Sequence, residues 1–264
     1  MSFKLIKKTL FCSVLLSISA CSSMFEGGST DDAGAGAGVY ADDESITTKE
    51  TLYQNTRNYD ALISMYRSIL KNEDDLLTRY KLSEAYYKKG DSSSSLLYLQ
   101  PILSSGGSLA EKAKILQAKN LNMLKRYREA LDVENAVLSS SPTNGEVYNL
   151  RGVTYAHLND LNSARENFDK AREYFLNDVI AINNLAMLSI INGDYRNAIS
   201  LLLPQYLNGI REQRLVHNLV FALVKNNELD YAKDIILKEN LNTSPDSLID
   251  ALRKTERISD YIAK

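Results

Sequence analysis

The side chains able to do chemistry in this chain are few and poorly spaced for catalysis. Its two cysteines, Cys12 and Cys21, both fall close to the N-terminus. No thiol is left in the remainder for a disulfide framework or a thiolate zinc site. The two histidines, His157 and His217, stand far apart in the sequence, and neither has a second ligand-type residue at metal-motif spacing. No Ser-His-Asp or Cys-His constellation can be assembled, and no carboxylate pair stands out from the solvated helical faces. What remains is one thiol in "SISACSS", directly after Ser19-Ala20, and two amides, Asn149 and Asn183, that recur in similar surroundings. A thiol can be acylated. A primary amide offers two donors and an acceptor, and so can pair with polypeptide backbone.

The thiol is positioned by its neighbours in sequence. Lys4, Lys7 and Lys8 precede an apolar stretch from about Leu10 to Ile18, and small residues follow, the three-part layout of a secretory signal. The stretch is far shorter than the ~20 residues that span a bilayer, so no transmembrane helix is expected. Ile18-Ser19-Ala20-Cys21 resembles the bacterial lipobox. That resemblance implies that 1–20 is a cleaved signal peptide and that Cys21 is diacylated, then acylated again on its freed amino group. A single acyl chain anchors only marginally, so palmitate-type acylation at several points suits stable attachment. Ser22 and Ser23, with no Asp at the second position, imply by the same resemblance the outer membrane, facing the periplasm. The alternative is an ordinary signal peptide in which Cys21 is incidental. Residues 21–45 carry Glu26, Asp31, Asp32, Asp42, Asp43 and Glu44, no Lys or Arg, and the run "AGAGAG". Such a composition cannot bury a core and reads as a disordered tether, reaching about 25–30 Å. No Gly-Lys-Ser/Thr follows the glycines, so they form no phosphate loop.

The amides belong to a repeating body. "GEVYNLRGVTYAHLNDLNSARENFDKA", from Gly145, and "VIAINNLAMLSIINGDYRNAISLLLPQ", from Val179, superimpose with a 34-residue shift. Gly152 then matches Ala186, Asp160 matches Asp194 and Ala164 matches Ala198. Ala130, Ala164, Ala198 and Ala232 keep the same spacing. This period resembles the tetratricopeptide repeat, a helix-turn-helix unit. Small residues are required where two antiparallel helices cross: Ala118, Gly152 and Ala186 on first helices, the alanines on second ones. Bulky residues such as Tyr155, Phe168, Leu185 and Leu202 fill the space beside them, and "LNDL", "NGDY" and "NNEL" supply the turns. The expected fold is an all-α tetratricopeptide-repeat α-solenoid occupying 46–264. Its units are about 46–75, 76–109, 111–144, 145–178, 179–212 and 213–246, followed by a capping helix at 247–264 with Asp246 or Ser247 as N-cap. One unit cannot bury its apolar face alone, so stacking is obligatory. Only four prolines interrupt the chain, and Pro142 and Pro245 fall at unit boundaries.

In the family so resembled, first helices line a groove, and two recurring places face it. Tyr80, Ile115, Asn149, Asn183 and His217 occupy one; Glu84, Lys119, Val153, Met187 and Phe221 occupy the other. Asn149 and Asn183 form a two-step ladder for an extended peptide. Val153, Met187 and Phe221 form an apolar stripe that either lines the groove or packs between units. The formal charge of −2 leaves no footprint for nucleic acid. No cofactor, metal or small-molecule substrate is expected, and no enzyme. Lipobox, tether and repeats together resemble outer-membrane lipoproteins of Gram-negative bacteria, most of all the tight-adherence (Flp) pilus assembly lipoproteins. Type IV pilus pilotins and scaffold lipoproteins for peptidoglycan hydrolases share the layout. The resemblance implies protein partners, a pilus subunit, secretin or other secretion component, and membrane contact through the lipid. The alternative role is an adaptor that docks hydrolases.

Overall fold

The computed structural model of the chain describes residues 40–174 and 178–255. The signal segment, Cys21 and most of the tether therefore lie outside the described residues. Thirteen helices and no strand occur among them. We label them α1 (Tyr40–Asn55), α2 (Tyr59–Asn72), α3 (Leu76–Lys89), α4 (Ser92–Leu103), α5 (Gly107–Met123), α6 (Tyr127–Ser140), α7 (Gly145–His157), α8 (Leu161–Glu173), α9 (Asp178–Ile191), α10 (Tyr195–Leu207), α11 (Gln213–Lys225), α12 (Leu229–Lys238) and α13 (Pro245–Arg253). They divide into two compact units, 40–142 with α1–α6 and 143–255 with α7–α13.

The repeat is written into the backbone at the turns between first and second helices. A left-handed residue recurs at Lys125, Asn159, Gly193 and Asn227, each one repeat period after the last, preceded by Arg57 and Gly90. Around each, two amides reach back to the helix just ended. Asn159 N donates to Ala156 O and Asp160 N to Tyr155 O; Asn227 N donates to Val224 O and Glu228 N to Leu223 O. This is the Schellman arrangement, which satisfies carbonyls that a helix end leaves open. The next residue caps the second helix. Asp91, Asp160 and Asp194 accept from the backbone N–H groups of Ser94, Ser163 and Asn197 at 3.0, 3.0 and 3.1 Å. One short stretch thus stops one helix and starts the next.

Small residues sit where expected at the crossings. Ala118, Ala130, Ala164, Ala186, Ala198 and Ala232 are all buried. Size is traded across the α7–α8 crossing, where the second helix supplies a bulky residue to meet the small one of the first. Gly152 faces Phe168, and a methyl group added at Gly152 would lie 2.6 Å from the ring. Elsewhere the pairs at the same spacing are Ala186 with Leu202 and Val220 with Ile236, all fully or nearly buried. In the 40–142 unit the crossing of α3 with α4 is polar. Ser83 Oγ donates to the Ser95 carbonyl at 2.9 Å and lies 2.8 Å from Ser95 Oγ, which accepts from Asn120 Nδ2 at 2.8 Å. Two hydroxyls replace two methyl groups there because each finds a partner.

The ends depart from the periodic reading. Helix α1 starts at Tyr40 and takes in 40–45, assigned above to the tether. The last glycine before it is Gly38, and nothing from Tyr40 onward breaks a helix. Helix α13 has Ser244, not Asp246 or Ser247, at its N-cap position, with no side-chain capping hydrogen bond and with Pro245 in its first turn. Proline's fixed φ and missing N–H suit that place, so the helix begins earlier than polar-cap residues alone suggest. Residues 256–264, the rest of the expected cap, lie outside the described residues. Ile249 of α13 is buried in the core of the 143–255 unit, and Lys225 Nζ donates to the Arg253 carbonyl at 3.2 Å.

Candidate partner-binding site

Tyr80, Glu84, Ile115 and Lys119 belong to the 40–142 unit, where Glu84 is half-buried, and the other six groove positions belong to 143–255. In the first unit, Tyr80 is half-buried and packs against the Leu99–Ile102–Ala113–Leu116 cluster. Ile115 is buried, and Lys119 is half-buried with interactions of its own. Of these four, only parts of Tyr80, Glu84 and Lys119 reach solvent.

In the second unit the apolar stripe resolves into core. Val153 is 2% exposed and Met187 6%, and both join the cluster formed by α7–α13. Their column lies where one first helix meets the next, so stacking covers it. Phe221 is half-buried. It stands on α11, the last first helix among the described residues, which the nine-residue α13 follows. Tyr195 meets its ring edge-on with centroids 6.3 Å apart, and the Lys225 ammonium lies 5.7 Å from the ring centre. His217 is exposed, yet partial withdrawal from water lowers its pKa below the usual imidazole value.

The two asparagines do form steps, though not with each other. Asn184 Nδ2 donates to Asn149 Oδ1 at 2.7 Å, and Asn218 Nδ2 donates to Asn183 Oδ1 at 3.0 Å. Each rung joins the first helix of one unit to that of the next. Asn149 is buried and the other three are half-buried. The rung engages the carbonyl edge of Asn149 and Asn183 and leaves their amino edges for other acceptors. The carbonyls of Asn184 and Asn218 are likewise left to accept. The first helices α7, α9 and α11 are therefore tied by two amide–amide rungs that hold the remaining amide donors and acceptors in fixed orientation. The repeat register alone does not single out Asn184 and Asn218, because they fall one place later. The doubled asparagine "NN" at 183–184 is the signal that could have found them.

A second polar group ties the second helices. Tyr206 OH donates to Glu239 Oε1 at 2.7 Å, Arg211 Nε pairs with Glu239 at 2.9 Å, and the Arg211 guanidinium lies 4.0 Å from the Tyr206 ring centre. Burial, reinforced by the Glu239 carboxylate, pushes the Tyr206 phenol up to about 12. It stays neutral and donating, so this group is a clamp. Among the described residues there is no group of three or more His, Cys, Asp or Glu placed to hold a metal ion. No helix among them is long and apolar enough to cross a membrane.

No protein-family model matches the chain, and no curated protein matches it either. Solved structures do. A thermophilic tetratricopeptide-repeat protein of Thermus thermophilus superposes with a TM-score of 0.60 at 19% identity, over 70% of this chain and 100% of that one. A tetratricopeptide repeat protein from Parabacteroides merdae gives 0.60 at 17% identity, over 83% of this chain and 86% of that one. At such identities the likeness concerns the fold, which is the all-α tetratricopeptide-repeat fold.

Proposed function

We propose that this chain is a non-enzymatic scaffold that holds an extended segment of a protein partner along the first helices of 143–255. The observation that carries the reading is the pair of asparagine rungs, whose unengaged edges match the alternating N–H and C=O groups of a peptide backbone. Recognition of backbone needs fixed amides, and each rung fixes two. The location rests on the sequence: Ile18-Ser19-Ala20-Cys21 as a lipobox, with Cys21 anchoring the chain at the periplasmic face of the outer membrane. The resemblance stated above makes the partner a component of a tight-adherence (Flp) pilus or its secretin.

Asn183→Asp separates recognition from folding. The aspartate keeps an acceptor for Asn218 Nδ2 but loses the donating edge, at a half-buried place where a carboxylate stays hydrated. Partner affinity should fall about tenfold, the worth of one hydrogen bond of this kind, with the thermal midpoint little changed. Unchanged affinity would clear the rungs of a binding role. Cys21→Ser should move the protein from the membrane to the soluble fraction; continued membrane attachment sinks the lipobox reading. Capture of peptidoglycan hydrolases, with no secretin or pilus subunit, would replace the pilus role by the adaptor one.

A further inference from the structure

The 40–142 unit contains a cleft of about 280 Å³ that none of the groove positions lines. Its wall comes from three consecutive helices: Leu96 and Gln100 of α4, Gln117 and Leu121 of α5, and Glu129, Asp132 and Val133 of α6, with Arg126 at the turn before α6. Leu121 is buried and Leu96 and Val133 are half-buried, so the floor is apolar. The rim is polar but unevenly engaged. Arg126 is held by Glu129 through a two-pronged contact, Nε to Oε1 at 2.7 Å and Nη2 to Oε2 at 2.6 Å. Gln100, Gln117 and Asp132 take part in no hydrogen bond or ion pair among the described residues. The one charge open at the rim is therefore negative.

These features restrict what fits. An anion would face Asp132 and Glu129 with the only cation already engaged. A wholly apolar group would strip water from Asp132 and two amides and return no hydrogen bond, which is unfavourable. An amphipathic cation satisfies both layers, laying a hydrocarbon stem on Leu96, Leu121 and Val133 and placing its charged end at the rim. The rim acceptors, one carboxylate and two amide oxygens, come from three different helices. That spread suits the three rotatable donors of an ammonium better than the planar fork of a guanidinium. The volume lies just under the ~300 Å³ at which pockets for whole small molecules begin, so a single side chain is the matching size. We propose that this cleft is a docking point for one lysine side chain of a partner protein, distinct from the asparagine rungs.

The probe is an N-acetylated, C-amidated Ala-Lys-Ala tripeptide, added to the full chain carrying methyl-labelled Leu and Val. Resonances of Leu96, Leu121 and Val133 should shift together. The same tripeptide with norleucine in place of lysine has the stem without the charge, and should bind about tenfold more weakly, the worth of a charged hydrogen bond. Asp132→Asn, at an exposed position, should cost the lysine peptide a similar factor while circular dichroism stays unchanged. Absent shifts, equal response to norleucine, or indifference to Asp132→Asn would each overturn the proposal. Binding of n-butylammonium as tightly as the tripeptide would also overturn it, by making the cleft a site for free amines. None of these outcomes bears on Asn183→Asp, so the two readings fail separately.

Discussion

At the scale of residues, the trade of size at the α7–α8 crossing decides how much substitution that repeat bears. Gly152 is the smallest of the first-helix crossing residues and faces Phe168, the largest partner. Two effects oppose each other in Gly152→Ala. Alanine favours the helix by up to about 1 kcal/mol. Its methyl would sit 2.6 Å from the Phe168 ring, which is 1% exposed and has no room to withdraw; overpacking of this kind costs roughly 1–3 kcal/mol. The clash wins, and urea unfolding should report a net loss of about 1–2 kcal/mol. Adding Phe168→Leu recreates the Ala186–Leu202 pairing found one unit later. The double variant should be more stable than the sum of the two singles by at least about 0.5 kcal/mol, the mark of residues in contact. Strict additivity would show that the crossing does not couple them.

At the scale of elements, the short turn carries both chain reversal and part of the acid sensitivity. Its left-handed position is filled by Gly90, Gly193, Asn159 and Asn227, which accept that conformation readily, but also by Arg57 and Lys125. A long side chain at positive φ costs roughly 1–2 kcal/mol. Glycine there would lose about 0.4–1 kcal/mol of that relief to the greater freedom of the unfolded chain. Lys125→Gly should therefore stabilise by about 0.5 kcal/mol in urea unfolding, and Asn159→Gly should gain nothing. The capping aspartates set a pH response. Hydrogen bonds from Ser163 hold the Asp160 carboxyl below the usual carboxylate range, as those from Ser94 do for Asp91. A carboxyl depressed by folding contributes stability above its unfolded pKa of about 3.9 and loses it as pH falls through the folded value. Asp160→Asn keeps a capping oxygen without a titrating charge. Melting at pH 7 should change little, and the fall in midpoint between pH 7 and pH 3 should become smaller; an identical fall would remove Asp160 from the acid response.

At the scale of the whole chain, what could be read from sequence was what stacking forces to repeat. Ala130, Ala164, Ala198 and Ala232 had to recur because backbones touch there, so fold and period were legible. The start of α1 at Tyr40 was not, because α1 carries none of the small residues at 34-residue spacing that mark the later units. Nor was the fate of Val153 and Met187: apolar residues at helical spacing suit groove and core alike, and only the packing of successive first helices buries them. The same stacking logic governs the C-terminal end. Helix α13 is the last cover over α11 among the described residues, and Ile249, 5% exposed, is its one buried residue. Ile249→Ala removes most of that side chain at a cost near the low end for such truncations, about 2 kcal/mol, because α13 is short and peripheral. In a stack each unit leans chiefly on its neighbours. Loss of amide-exchange protection should therefore be greatest in α11 and α12, smaller in α9 and α10, and least in α7 and α8. A uniform loss from α7 to α13 would mean instead that the 143–255 unit opens as a single cooperative body, with no end from which it frays.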